Sequence, residues 1–173
     1  GAQYPHGEFG MGLRQIAQLI KADVGLEIAC VDLGGWDTHE TQGTLDGEFN
    51  ALLTTLGQGL SAFHADLQAH MGRVTVVTMS EFGRTLDENA SAGTDHGHGN
   101  VMFMLGAGVQ GGQVYARWPS LSRDALDPEG DLNITTDYRD VLAEIVQHRL
   151  GNDDLNFVFP GYRPNPLGLI VPA

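Results

Sequence analysis

The chain has 173 residues, 42% of them hydrophobic, enough to bury one substantial core, and 22 acidic residues against 9 Lys and Arg give it a formal net charge of -13. That charge repels a nucleic-acid backbone or an anionic membrane surface, so neither is expected as a partner, whereas a small phosphate or sulfate ester still binds where a cation reverses the local charge. Cys30 is the only cysteine, which excludes an intrachain disulfide and thiolate metal clusters. No apolar stretch approaches the roughly 20 residues of a bilayer span, so no membrane insertion is expected.

Phe9, Leu13, Ile16, Ala17, Leu19 and Ile20 recur at helical spacing and predict a helix over about residues 9–23 with Gly25 as its stop. Leu26 to Leu33 is short and nearly all apolar, as in a strand covered on both faces, and ends at Gly34-Gly35. Within it Cys30 reads as a small buried hydrophobe. From Leu45 to Met71, the positions Leu45, Phe49, Leu52, Leu53, Leu56, Leu60, Phe63, Leu67 and His70 keep the spacing of a long crossover helix, with Gly57 and Gly59 as kink points.

Arg73 to Met79 is β-branched and apolar, a second buried strand. Val101 to Leu105 makes a third, closed by Gly106-Ala107-Gly108, and a glycine-punctuated hairpin is expected over Val109 to Tyr115. Thr135 or Thr136 caps a helix carrying Tyr138, Val141, Leu142, Ile145, Val146 and Leu150, which stops at Gly151, and the acids of Asp137 to Asp140 suit a helix start. The tail from Phe157, with its four prolines, is expected to wrap the surface. Strands alternating with helices predict an α/β fold, a mostly parallel sheet flanked by helices on both faces, as a single domain over residues 1–173. Ligands gather at the carboxyl ends of strands in such sheets, and three polar clusters fall there.

The first cluster, Trp36-Asp37-Thr38-His39, offers a carboxylate and an imidazole one residue apart. Both can turn to one ion only if the backbone bends, which Gly34 and Gly35 permit; the pair suits Zn or Mn better than Ca, and reads equally as a hydrogen-bonded loop lock. Trp36 is expected to pack the loop. In Thr94-Asp95-His96-Gly97-His98-Gly99-Asn100, the ligand candidates Asp95, His96 and His98 sit among glycines that let the backbone approach an ion. Glu81 directly follows the second strand, either as a cation ligand or as an ion-pair partner of Arg84. Arg84 in turn either clamps an oxyanion through its planar fork or neutralises Glu81. Thr85, Thr94 and Asn100 are supporting candidates, and His6, His64, His70 and His148 are assigned no role.

Taken in order, Gly35-Trp36-Asp37-Thr38-His39, Ser80-Glu81-Phe82-Gly83-Arg84-Thr85, Gly93-Thr94-Asp95-His96-Gly97, Gly111-Gly112 and Thr135-Thr136-Asp137-Tyr138-Arg139 resemble the C-terminal part of the DUF1501 family, placed in the alkaline phosphatase-like, sulfatase-like superfamily. The resemblance implies the C-terminal part of a larger alkaline phosphatase-like domain and a site for one or two divalent metals, Zn first with Mn and Ca as alternatives. It also implies hydrolysis of a small-molecule phosphate or sulfate ester and a periplasmic or extracytoplasmic location. Asp37 and His39 then correspond to an Asp-and-His pair on one metal, with His96 or His98 as a later ligand and Arg84 holding the anion. Where active superfamily members carry an Asp-His pair directly after a strand, this chain has Glu81-Phe82. Either Glu81 takes the aspartate's place and one ligand is lost, or Asp95-His96 takes over. The competing reading is a non-catalytic envelope binding or scaffolding protein that retains a structural or vestigial metal site.

Overall fold

The helical spacing near the N-terminus forms helix α1, Glu8–Ala22, in a computed structural model that describes residues 1–171. Its stop is Asp23 rather than Gly25: Asp23 takes the left-handed conformation at φ 53 and donates its backbone N–H to Ile20 O, a role that Asp tolerates better than most residues. The second helix, α2, runs Glu48–Asp66 and is followed by a 3-10 turn, Met71–Arg73. The strands are β1 (Thr75–Val77), β2 (Gly83–Arg84), β3 (His96–Gly97) and β4 (Met104–Gly106). A 3-10 turn at Arg123–Ala125, helix α3 (Tyr138–Arg149) and helix α4 (Leu155–Val158) complete the order.

These elements form two compact units, one of residues 1–71 with 87–95, the other of residues 72–86 with those from 96 onward. In the first, α1 packs on α2. Gly59 is buried on α2, and a Cβ there would run into the rings and methyls of Phe9 and Leu13, so its lack of a side chain sets how closely the helices approach. Ala17 and Leu67 are fully buried and Phe63 nearly so. A buried Leu or Phe of this kind contributes about 1.5–3 kcal/mol. At the helix ends Asp66 accepts from the Tyr4 hydroxyl at 2.9 Å and pairs with Lys21 at 2.5 Å.

In the second unit the core gathers Val141 of α3 with Leu169 and Ile170 of the tail, and Val77, Met102, Met104, Ile145 and Leu167 pack against it. Two buried carboxylates on α3 hold the tail. Glu144 accepts the backbone N–H groups of Leu167, Gly168, Leu169 and Ile170 at 2.5, 2.7, 2.7 and 3.0 Å, and Asp140 accepts from the Tyr162 hydroxyl and the Asn165 N–H, both at 2.7 Å. The end of the tail, Leu169 and Ile170, is therefore part of the core, whereas Phe157 at its start is 79% exposed. Asp137 caps α3, its side chain accepting the Arg139 N–H at 2.8 Å, where Thr135 or Thr136 had been the expected cap.

The expected mostly parallel sheet flanked by helices, the alkaline phosphatase-like α/β architecture, is not what the chain forms. β1 pairs antiparallel with β4, Thr75 opposite Gly106 and Val77 opposite Met104, and β2 pairs antiparallel with β3. Parallel pairing needs a crossover, usually a helix, to return the chain to the same edge. Between Val77 and Met104 there are only loops and the two-residue strands, so the chain returns antiparallel. Leu26 to Leu33 forms no strand; Ile28 is 67% exposed and Cys30 is exposed rather than buried. An apolar run needs a neighbouring ladder to become a strand, and none is supplied to this one among the described residues. The hairpin over Val109 to Tyr115 is also absent: Val109 instead forms a single antiparallel bridge to Ile170, and Gln110 N–H donates to Leu169 O. No helix of the described residues is long and apolar enough to cross a membrane.

Candidate metal centre

The segment after α1 is anchored where its side chains meet the helix pair. Val31 lies against Gly12 of α1, Gly35 against Leu52 of α2, and the Trp36 ring meets Phe49 edge-on at 5.7 Å. Beyond Trp36 the backbone coils tightly, Thr38 N–H donating to Trp36 O at 2.9 Å and His39 N–H to Asp37 O at 3.1 Å, two successive bonds of the γ-turn type. Gly35 at φ +96 admits the chain into this coil. The bend that Asp37 and His39 need to face one point is thus present.

His39 lies between two carboxylates. Its Nε2 is 2.9 Å from Asp37 Oδ1 and its Nδ1 is 2.9 Å from Asp95 Oδ1. The three side chains are 43–60% exposed, so the cluster opens to solvent and direct ion pairing alone contributes no more than about 1 kcal/mol.

Residues 89–94 and 38–42 clip together around this cluster. Thr41 N–H donates to Ser91 O, Gln42 N–H to Ala92 O and Thr94 N–H to Thr38 O, at 2.9, 2.9 and 3.3 Å. Gln42 Oε1 accepts the hydroxyls of Thr38 and Thr94, both at 2.7 Å, and Thr38 is only 4% exposed. Gly93 is buried, and a Cβ there would collide with the His39 carbonyl and the Thr38 oxygen. Thr41 and Ala92 hold left-handed backbone at φ 43 and φ 58, an unfavourable state for both residues that the clip maintains. Asn89 closes it: its Oδ1 accepts from the Ser91 and Gly93 N–H groups at 2.9 and 3.0 Å, and its Nδ2 donates to His39 O and Asp95 Oδ1 at 2.9 and 3.0 Å.

The other anticipated residues lie in the second unit. His96 stands opposite Arg84 in the β2–β3 pair, and its ring stacks on Phe82 at 4.2 Å and 9°. The Arg84 guanidinium lies over the same Phe82 ring, 4.9 Å from its centre. His98 Nδ1 is 3.3 Å from Asp127 Oδ2, and the Asp127 carboxyl is held below the usual range, first by the Asp131 N–H. Glu81 is exposed on the turn before β2. Asn100 Nδ2 donates to Phe82 O at 2.6 Å, a structural tie.

Of the anticipated ligands, Asp37 and His39 of the first unit bring a carboxylate oxygen and an imidazole nitrogen together. Carboxylate oxygen and imidazole nitrogen are the donors zinc takes, and the 2.9 Å between His39 Nε2 and Asp37 Oδ1 is close to the roughly 3.3 Å that separates two ligand atoms on one tetrahedral zinc with bonds of about 2.0–2.1 Å. Sequence reasoning missed Asn89, Gln42 and Thr38 as parts of the site. The pattern Asn89-Ala90-Ser91 carries an Asx-turn signal, but nothing local reveals that the turn closes on His39, 50 residues away.

A family model described as "Protein of unknown function (DUF1501)" matches residues 5–166. No curated protein and no solved structure matches the chain. The motifs around Asp37, Arg84 and Asp95 all lie within the matched span, and the chain belongs to the DUF1501 family.

Proposed function

We propose that the chain binds a divalent cation, zinc first, at Asp37 and His39, and that with this ion the protein hydrolyses a small phosphate or sulfate ester outside the cytoplasm. The observation that carries the reading is the placement of His39, with one ring nitrogen on each of two carboxylates. A metal-binding histidine characteristically offers one nitrogen to the ion and donates the other ring N–H to a carboxylate, and Asp37–His39–Asp95 has that form. Asp95 then serves as the group that orients His39, which revises its expected part as a ligand. The hydrolytic part of the reading is supported by the family resemblance.

A bound zinc would polarise the ester oxygen and lower the pKa of a water. The chain's own residues do the rest: Asp37 and His39 hold the ion and Asp95 fixes the ring. The test is metal content by mass spectrometry, with turnover of aryl phosphate and aryl sulfate, in the wild type and in Asp37→Ala and His39→Ala. Metal and turnover lost together in Asp37→Ala and His39→Ala support the reading. Metal bound without turnover of either ester favours a non-catalytic binding or scaffolding role, and no bound metal ends both.

A further inference from the structure

We propose that residues 26–33 are a docking strand for a separate polypeptide, which enters as an extended segment of four apolar residues flanked at each end by Lys or Arg.

The segment is strand-like in everything but its hydrogen bonds. It runs without a turn or bend, and Ile28 and Val31 are residues that strands favour. Successive residues of such a chain point to opposite sides. Val31 packs against Gly12 of α1, and Gly35, on the same side, against Leu52 of α2, so this side is seated on the helix pair. On the other side Ile28 is 67% exposed, and Cys30 and Asp32 are exposed as well. Among the described residues, no hydrogen bond reaches any backbone N–H or C=O of residues 26–33. The segment is therefore an edge with open donors and acceptors, the kind that takes an added strand.

Charge decides what that strand can be. No Lys or Arg falls between Lys21 and Arg73, while Asp23, Glu27, Asp32 and Glu40 are all exposed. Glu27 and Asp32 bracket the run Ile28-Ala29-Cys30-Val31. Residues opposite each other in a ladder share a face, and like charges placed there destabilise the pair. A second copy of this chain that matched the four apolar residues would set Glu27 against Asp32 when antiparallel, and each acid against its own kind when parallel. Self-pairing is thus opposed in both directions. A partner with Lys or Arg at both ends of four apolar residues meets both carboxylates in either direction.

The experiment is fluorescence anisotropy of two labelled peptides on the full chain, followed by amide exchange of residues 26–33. One peptide carries four valines between lysines, the other four valines between glutamates. Expected are saturable binding of the lysine peptide, about 10-fold or more tighter than the glutamate peptide, with slowed exchange across residues 26–33 and slowed thiol labelling of Cys30. The preference should reverse in the double variant Glu27→Lys with Asp32→Lys, whose altered side chains make no hydrogen bond or ion pair among the described residues. Equal binding of the two peptides, binding that leaves residues 26–33 unprotected, or no binding to the wild type would overturn the proposal. Dimerisation of the chain alone, with protection of the same residues, would give the strand to a second copy and overturn it too.

Discussion

His39 Nδ1 meets Asp95 Oδ1 at 2.9 Å across 56 residues of sequence, and the two are brought together by a clip that buries Thr38 and Gly93 rather than the pair itself. Because both side chains are well exposed, the pair does little for stability and much for orientation. Asp95→Asn is therefore expected to change unfolding free energy by less than about 1 kcal/mol. The same change is expected to weaken zinc binding by roughly 10- to 100-fold. Urea unfolding and calorimetric zinc titration on one preparation check the split, and equal losses in both would count against an orienting role.

Backbone geometry at residues 92 and 93 predicts opposite outcomes for neighbouring substitutions. Gly93→Ala drives a methyl into the His39 carbonyl and should destabilise the first unit by about 1–3 kcal/mol. Ala92→Gly relieves a left-handed residue at φ 58 and should be neutral or stabilising by up to about 1 kcal/mol. Thermal unfolding of the two variants separates them.

The tail lock is the second structural claim. Glu144→Ala leaves four backbone N–H groups without their acceptor in a buried place, and is expected to cost about 3 kcal/mol or more. Glu144→Gln keeps one accepting oxygen and should fall between that variant and the wild type. Faster proteolysis or amide exchange confined to residues 165–170 would mark the released segment.

Three features separate what was legible in the sequence from what was not. Helices α1, α2 and α3 were readable because Phe9, Leu13 and Ala17, or Val141 and Ile145, repeat at the spacing a helix imposes on its own residues. Sheet partners are not local: the β-branched Thr75-Val76-Val77 announces a strand, yet nothing in it says that Leu105 lies antiparallel beside it. Leu26 to Leu33 was misread for the same reason, since its apolar pattern fits a strand only if a ladder exists to receive it. Asp37 and His39 stood out as a pair, whereas Asn89 and Gln42 act through contacts set by the clip and carry no periodic signal. Native-state labelling tests the corrected segment directly: Cys30 should react with a thiol reagent without unfolding, and protection until denaturation would restore the buried-strand reading.

Acid sensitivity follows from three carboxyls held low in the folded chain. Asp66 is lowered first by its bond to Lys21, Asp127 first by the Asp131 N–H, and Asp137 first by Arg139. Each binds protons more readily unfolded, where Asp titrates near about 3.9, so their contribution is present above that pH and lost as pH falls through the depressed folded values. At the alkaline end Tyr162 is pushed up to about 12, first by its bond to Asp140. An unfolded tyrosine ionises near about 10, so the Tyr162 contribution is present below that and lost as pH rises toward the folded value. Urea midpoints across pH should fall at both ends, with the acid limb flattened in Asp137→Asn and the alkaline limb in Tyr162→Phe.

The central claim is that Asp37 and His39 hold a divalent ion. Zinc titration of the metal-free chain against a chromophoric chelator, in the wild type and in His39→Ala matched for circular dichroism and melting temperature, tests it most directly. The account predicts saturable zinc binding in the wild type and at least a 100-fold loss in the variant. Zinc affinity unchanged in a folded His39→Ala protein, or absent from the wild type, would contradict it.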